Sequence, residues 1–339
     1  MGRVVLFVIA CLLSLGTAIA QNKPEDKIGM TFYALRNMYV DSVYVSPLVE
    51  QQMMLLMQCL DPHSEYLTAE QARANENILL GPTAGTVDTT QDAGIEARML
   101  NKTTGYMAIQ VFVQSTIDVF RQQMDSLRHL GMKSLVIDIR NNPGGFFDAA
   151  LALADELLPT GALMVTTEGL HQPHQEVKAQ VKGIWEKGAV AVLINERTMS
   201  AAEIFAGAIQ DWDRGMLIGS RTFGKGLIQE TLPFSDGSAI RLSVARYFTP
   251  CGRSIQKPYA GHSNLDYWNE VNQRSATGEL PPEARTKTYK TLITRRTVYG
   301  DSGIAPDVFV PAENDPIGKA LEILSNRKLY QRLLSKDSK

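Results

Sequence analysis

From Gly105 onward the chain alternates short apolar strand patterns with amphipathic helical ones, and no other feature limits its fold so strongly. Tyr106 to Phe112 reads as a strand, Thr116 to Leu130 as an amphipathic helix and Leu135 to Ile139 as a buried strand. Phe146 to Leu158 then reads as a helix, Ala189 to Ile194 as a strand and Ala201 to Trp212 as a helix. This is the pattern of βαβ crossovers, which set a sheet between layers of helix, so the expected class is α/β. Leu217-Ile218-Gly219, Ile228 to Leu232 and Ala239 to Phe248 add further strands, with a turn at Ser235-Asp236-Gly237. Ahead of this region, helical spacing from about Lys27 to Gln58 predicts an N-terminal helical pair that ends in the turn Leu60-Asp61-Pro62-His63-Ser64.

The chain of 339 residues is 44% hydrophobic, enough for a sizeable core. Lys+Arg 34 against Asp+Glu 36 gives a net charge of -2 with no basic stripe, which argues against nucleic acid or an anionic membrane surface as partner. Arg3, the apolar run Val4 to Leu15 and the small residues Ala18 and Ala20 form a secretory signal pattern cleaved after Ala20. That run is too short to span a bilayer, so no integral span is expected after cleavage, and the protein is expected outside the cytoplasm, periplasmic or extracellular. A lipoprotein box at Val8-Ile9-Ala10-Cys11 is the weaker fit, because the apolar region before Cys11 is short and continues past it. Cleavage leaves Cys59 and Cys251, which make no disulfide framework and whose pairing stays open. The histidines His63, His129, His171, His174 and His262 are scattered without zinc spacing, and no cofactor or metal is expected.

Three constellations could carry chemistry. Ser200-Ala201-Ala202-Glu203 opens a helix, and Phe223-Gly224-Lys225-Gly226 follows it. A serine hydroxyl is a poor nucleophile unless a proton acceptor lies beside it, and a lysine serves if burial keeps its amine neutral. Ser-x-x-Glu is equally a capping box, and a lysine between glycines is ordinarily a solvated loop cation; position alone leaves both pairs of readings open. Arg140-Asn141-Asn142-Pro143-Gly144-Gly145 joins a strand to a helix, where glycines either satisfy a turn or aim backbone amides at an oxyanion. Gln229 is placed to orient the lysine, whereas Asp211 would raise its pKa and is read as structural.

Leu60 to Tyr66, Leu135 to Gly145, Ser200 to Ile204, Phe223 to Gly226 with Gln229, Tyr247 to Ile255 and Gly303-Ile304-Ala305-Pro306-Asp307 occur in one order. Together these motifs resemble the C-terminal processing (tail-specific) serine proteases, from about Lys27 to Pro311. The resemblance implies a ClpP/crotonase-like ββα spiral core, Ser200 as nucleophile, Lys225 as general base and Gln229 as its support. It also implies oxyanion donors at Ala201 and at Gly144 or Gly145. Protein or peptide substrates follow from it, and homo-oligomerisation is left open.

The organisation expected is a signal peptide over 1–20, a helical region over 21–78, a connector over 79–94, a protease core over 95–315 and a C-terminal helix over 316–339. A polar insertion occupies about 257–299 of that core. Family members usually carry a PDZ domain after the Asp-Pro-His-Ser motif. Here only about 40 residues, Glu65 to Thr104, occupy that place, too few for one. Met199 before Ser200 and Ala202 where a second serine is common are further departures. Two competing functions are a catalytically inactive binding or scaffold protein on the same fold and a crotonase-like acyl-CoA enzyme.

Overall fold

The computed structural model describes residues 23–80, 94–274, 287–311 and 313–335. The signal pattern with Cys11, nearly all of the connector and part of the polar insertion lie outside the described residues. Two compact units divide between Cys59 and Leu60. The first contains the expected helical pair, α1 (Asp26–Met38) and α2 (Val45–Gln58). Pro47 sits in the first turn of α2, where its missing N–H has no intrahelical partner to lose.

The second unit begins with β1 (Glu65–Leu67), α3 (Ala69–Leu80), β2 (Ile95–Met99), β3 (Thr104–Ile109), α4 (Thr116–His129), β4 (Ser134–Asp138) and α5 (Phe147–Asp155). It continues through β5 (Leu163–Glu168), β6 (Gln175–Lys178), β7 (Ala189–Ile194), α6 (Ala201–Asp211), β8 (Met216–Gly219), β9 (Leu227–Pro233) and β10 (Ala239–Phe248). After β10 come α7 (Asn264–Asn269), a 3-10 turn (Glu270–Gln273), β11 (Thr288–Lys290), β12 (Thr297–Tyr299), β13 (Val308–Phe309), α8 (Pro316–Ser325) and α9 (Arg327–Leu334).

The strands form two main sheets. One has the order β13-β8-β7-β4-β3-β2, parallel except for the antiparallel β2–β3 edge. Its centre is covered on both faces, as period-2 burial requires. Leu135 and Ile137 of β4 and Val190 and Val192 of β7 face the larger core with α4, α5 and α6. Val136, Ala191 and Leu193 face the opposite way, beneath Ala320 and Ile323 of α8 and Tyr330 of α9. The second sheet is antiparallel, β1-β10-β5-β6 with β9 also on β10. All residues of α6 are buried, and it packs on α5, β5 and β8. Alanines along its length permit that close approach, and so the serine at its start is fixed by a core helix rather than a surface loop.

The α/β class expected from the alternation holds. The single C-terminal helix does not: Asn326, at φ -115 and ψ 90, breaks it, and the Asn326 side chain accepts the Leu329 N–H to cap α9. The helix read to Leu158 stops at Asp155. The polar insertion is more regular than its pattern suggested, with α7 and the β11–β12 hairpin inside it.

Candidate active site

Two loops laced together present Ser200. Asn141 and Asn195 exchange bonds of 2.9 Å each way, from the Asn141 N–H to Asn195 Oδ1 and from Asn195 Nδ2 to Asn141 Oδ1. Thr198 Oγ1 donates to the Ile139 carbonyl (2.8 Å), and the Met199 N–H to the Asn142 carbonyl (3.0 Å). Ser200 itself has φ 58 and ψ -122, a backbone region that a Cβ makes costly and that only surrounding structure can enforce. The lacing supplies that enforcement.

Glu203, wholly buried, joins the serine to the lysine. Its Oε2 accepts the Ser200 N–H (3.0 Å) and the Lys225 N–H (2.9 Å); its Oε1 accepts the Gly224 N–H (2.7 Å) and Thr222 Oγ1 (2.5 Å). Burial raises its carboxyl to about 7 against the pull of these four donors. The capping-box glutamate is therefore present, and it also reaches across to a segment 22 residues further along. Tyr247 adds a strut from β10, its hydroxyl donating to the Lys225 carbonyl (2.7 Å) with the Ser200 carbonyl at 3.2 Å.

The Lys225 side chain is only partly exposed, and its Nζ donates to Gln229 Oε1 (2.6 Å). Gln229 Nε2 in turn donates to the His63 carbonyl (2.6 Å). Burial first, then the Arg241 guanidinium, push the lysine from 10.5 down to about 8, while Glu65, Asp61 and Glu203 pull the other way. His63 is held down at about 3 by burial and by the charge of Lys225, so it is neutral near pH 7. The turn that positions it is closed by Asp61, whose carboxylate accepts the His63 and Ser64 N–H groups (2.8 Å each) and the Ser64 hydroxyl (2.6 Å).

The Pro-Gly-Gly turn lies directly against the serine. Gly144 has φ +103, and a Cβ there would come within 2.9 Å of the Ser200 Cβ. Gly145 has φ +123, and a Cβ would meet the Phe112 carbonyl oxygen at 2.1 Å, so no larger residue fits. The Gly144 N–H donates to Asn142 Oδ1 (2.8 Å). Gly145, Ser200, Ala201, Lys225 and Gln229 all line one cavity of about 470 Å³, with Arg241 at its wall. Ala201 is the first residue of α6, one of the opening helix positions whose amides have no intrahelical acceptor.

The structure thus brings together all six residues singled out from sequence. Asp211 lies apart at the far end of α6, paired with Arg253 (2.7 Å) in a buried ion pair and accepting the Cys251 N–H (3.0 Å). Sequence reading missed the linking role of Glu203, the Tyr247 strut, the His63 carbonyl and Arg241. Only Glu203 left a local signal, and it was the signal of a cap. Cys59 and Cys251 are both free thiols. Among the described residues no cluster of His, Cys, Asp and Glu is placed to hold a metal, and no helix is long and apolar enough to cross a membrane.

Residues 103–261 match the model of peptidase family S41. The C-terminal processing peptidase, chloroplastic, of Tetradesmus obliquus is 39% identical over 155 residues, 45% of this chain and 33% of the relative. The carboxy-terminal processing protease CtpA of Bacillus subtilis (strain 168) is 32% identical over 170 residues, 50% of this chain and 36% of the relative. A lipoprotein from Streptococcus agalactiae, 16% identical, shares the fold with a TM-score of 0.55 over 85% of this chain and 84% of that one. The chain spans about a third of the length of the curated relatives it matches.

Proposed function

We propose that this chain, which carries a peptidase family S41 domain and has carboxyl-terminal-processing proteases among its homologues, is an exported serine endopeptidase working through a Ser200/Lys225 dyad. The observation that carries the reading is the shared cavity, lined both by a serine at the start of a core helix and by a lysine whose amine burial has lowered to about 8. Ser200 Oγ attacks the peptide carbonyl, and its proton passes to the neutral Lys225 amine. The C–N bond breaks as the amine leaving group takes that proton, and water then hydrolyses the acyl-enzyme. Transfer requires the lysine to turn from Gln229 toward the serine once substrate fills the cavity. Gly145 is the better of the two glycine oxyanion donors, since the Gly144 amide is already engaged by Asn142; its partner is the amide of Ala201.

Export rests on the N-terminal pattern, and the short span between Glu65 and Thr104 leaves a PDZ domain out of the proposed architecture. The test is cleavage of an unfolded protein by the purified chain. Ser200→Ala and Lys225→Ala are each expected to abolish it while circular dichroism stays that of the wild type. Full activity in either variant removes the dyad, and an inert wild type that still binds unfolded chains favours the scaffold reading.

A further inference from the structure

The segment that carries Lys225, from Arg221 to Gly226, has nearly every backbone polar group assigned, and its partners divide by side. Its N–H groups are met from within the core. Thr222 donates to the Ile304 carbonyl (3.0 Å), Phe223 to the Thr198 carbonyl (3.0 Å), Gly224 and Lys225 to Glu203, and Gly226 to Gln256 Oε1 (2.8 Å). Three successive carbonyls are met by one side chain. Arg274 Nη1 donates to those of Arg221 (2.9 Å) and Thr222 (2.6 Å), and Nη2 to that of Phe223 (2.8 Å).

Arg274 is held for this task by Glu270, one turn earlier, whose carboxylate accepts its Nε (3.0 and 3.1 Å) and its Nη2 (2.7 Å). The same carboxylate takes Arg221 Nη2 (3.1 Å) and Lys257 Nζ (3.2 Å). Burial would raise it, but these three cations hold it down at about 2, so it stays charged. Lys257 Nζ lies 3.9 Å from the Phe223 ring centroid and 4.2 Å from that of Tyr267, and donates to the Tyr267 carbonyl (2.7 Å). Tyr267 and Trp268 of α7 pack edge-on to His63 and around Phe223. The first part of the polar insertion, up to Arg274, therefore packs apolar rings against the lysine loop and sets a guanidinium clamp on its carbonyls.

Resting on the Ser/Lys reading above, we propose that Arg274, oriented by Glu270, is a positioning residue that locks the loop Arg221–Gly224 and so sets the place and the dryness of the Lys225 amine. Without it the carbonyls of Thr222 and Phe223 lose the guanidinium that meets them and must turn to water, and a buried unpaired carbonyl is costly enough to drive that turn. Lys225, two residues beyond the last clamped carbonyl, shifts with the loop against its own bonds to Glu203, Tyr247 and Gln229. Asp61, His63, Glu65, Glu203 and Arg241 face the amine from the other elements and stay in place.

The test uses the full-length protein with Arg274→Ala and Arg274→Lys. Arg274→Ala is expected to lower kcat on an unfolded protein by about 100-fold, the scale of an ångström-sized misplacement, with KM little changed. Its pH midpoint should move above the wild-type value of about 8 toward the free lysine value. Arg274→Lys, which keeps a donor but not the fork, should fall between. The Lys225 amine is also titrated directly by NMR of its 13C-dimethylated form, assigned by its absence in Lys225→Ala. That midpoint rises in Arg274→Ala whether or not Ser200 proves to be the nucleophile, which separates failure of the clamp from failure of the dyad. If Arg274→Ala shows no cooperative unfolding transition, Glu270→Gln carries the same expectations. Wild-type kcat with an unmoved amine midpoint, or activity lost only in proportion to the folded fraction, overturns the proposal.

Discussion

Lys225 makes a specific claim about pH. Because burial and Arg241 depress its amine to about 8, the neutral form that the proposed dyad needs to accept a proton grows tenfold per pH unit below that value and levels above it. The logarithm of kcat/KM is therefore expected to rise with unit slope from about pH 6 and to bend near pH 8. A rate flat from pH 6 to 9 would mean that the proton goes elsewhere. Glu203 shows why such residues are hard to weigh from sequence. Its spacing from Ser200 marks a helix cap, and only the folded chain reveals that the same carboxylate also holds the N–H groups of Gly224 and Lys225. Local rules see a window of a few residues, and that bond crosses 22.

At the scale of elements the sequence spoke clearest where both faces were buried. β7 lies where its apolar run placed it, since a strand buried on both faces must be continuously apolar, and the mostly half-buried β10 also spans the residues read as a strand. The β5–β6 hairpin escaped, because β6 reads Gln175-Glu176-Val177-Lys178 and its place depends on pairing with β5 rather than on its own composition. The clamp segment was likewise invisible: charged residues such as Glu270 and Arg274 read as solvated until their partners are known. The break at Asn326 was missed because the apolar spacing runs across it, and only the capping bond to Leu329 shows that α9 restarts there. The two C-terminal helices still do what their spacing requires, covering the second face of the large sheet. Ile323, wholly buried there against β7 and β8 residues, should cost about 2–5 kcal/mol when cut to alanine, read as the shift in urea midpoint. A change below 0.5 kcal/mol would mean that α8 rests loosely on the sheet.

For the whole molecule, the perturbed groups combine into a pH profile of stability. His63 has a folded value of about 3 against 6.5, and Glu270 about 2 against 4.5, so the unfolded chain takes up protons first at both and stability falls as pH drops through those windows. Glu203 has the opposite sense, about 7 folded against 4.5 unfolded; it contributes most below 4.5 and loses that contribution as pH rises toward 7. The opposing groups overlap between pH 4.5 and 6.5, where the melting temperature should change little. Below 4.5 Glu203 no longer offsets the destabilising pair, the lowered Asp61 carboxyl acts in the same direction as they do, and the melting temperature should fall steeply. A level melting curve from pH 4.5 down to 2.5 contradicts these assignments.

The bond from Gln229 Nε2 to the His63 carbonyl spans 166 residues. Read in time rather than in space, it dates the site. A ribosome has released the turn around His63 long before it makes Gln229, and Arg274 emerges later still. On the reading proposed here the growing chain carries Ser200 before Lys225 and Arg274 have been made, and so holds a serine with no working base beside it, since closing loops this long is slow and waits for the core to form. If the proposed dyad is right, the unfolded precursor lacks the activity of the folded chain, and that latency is set by topology.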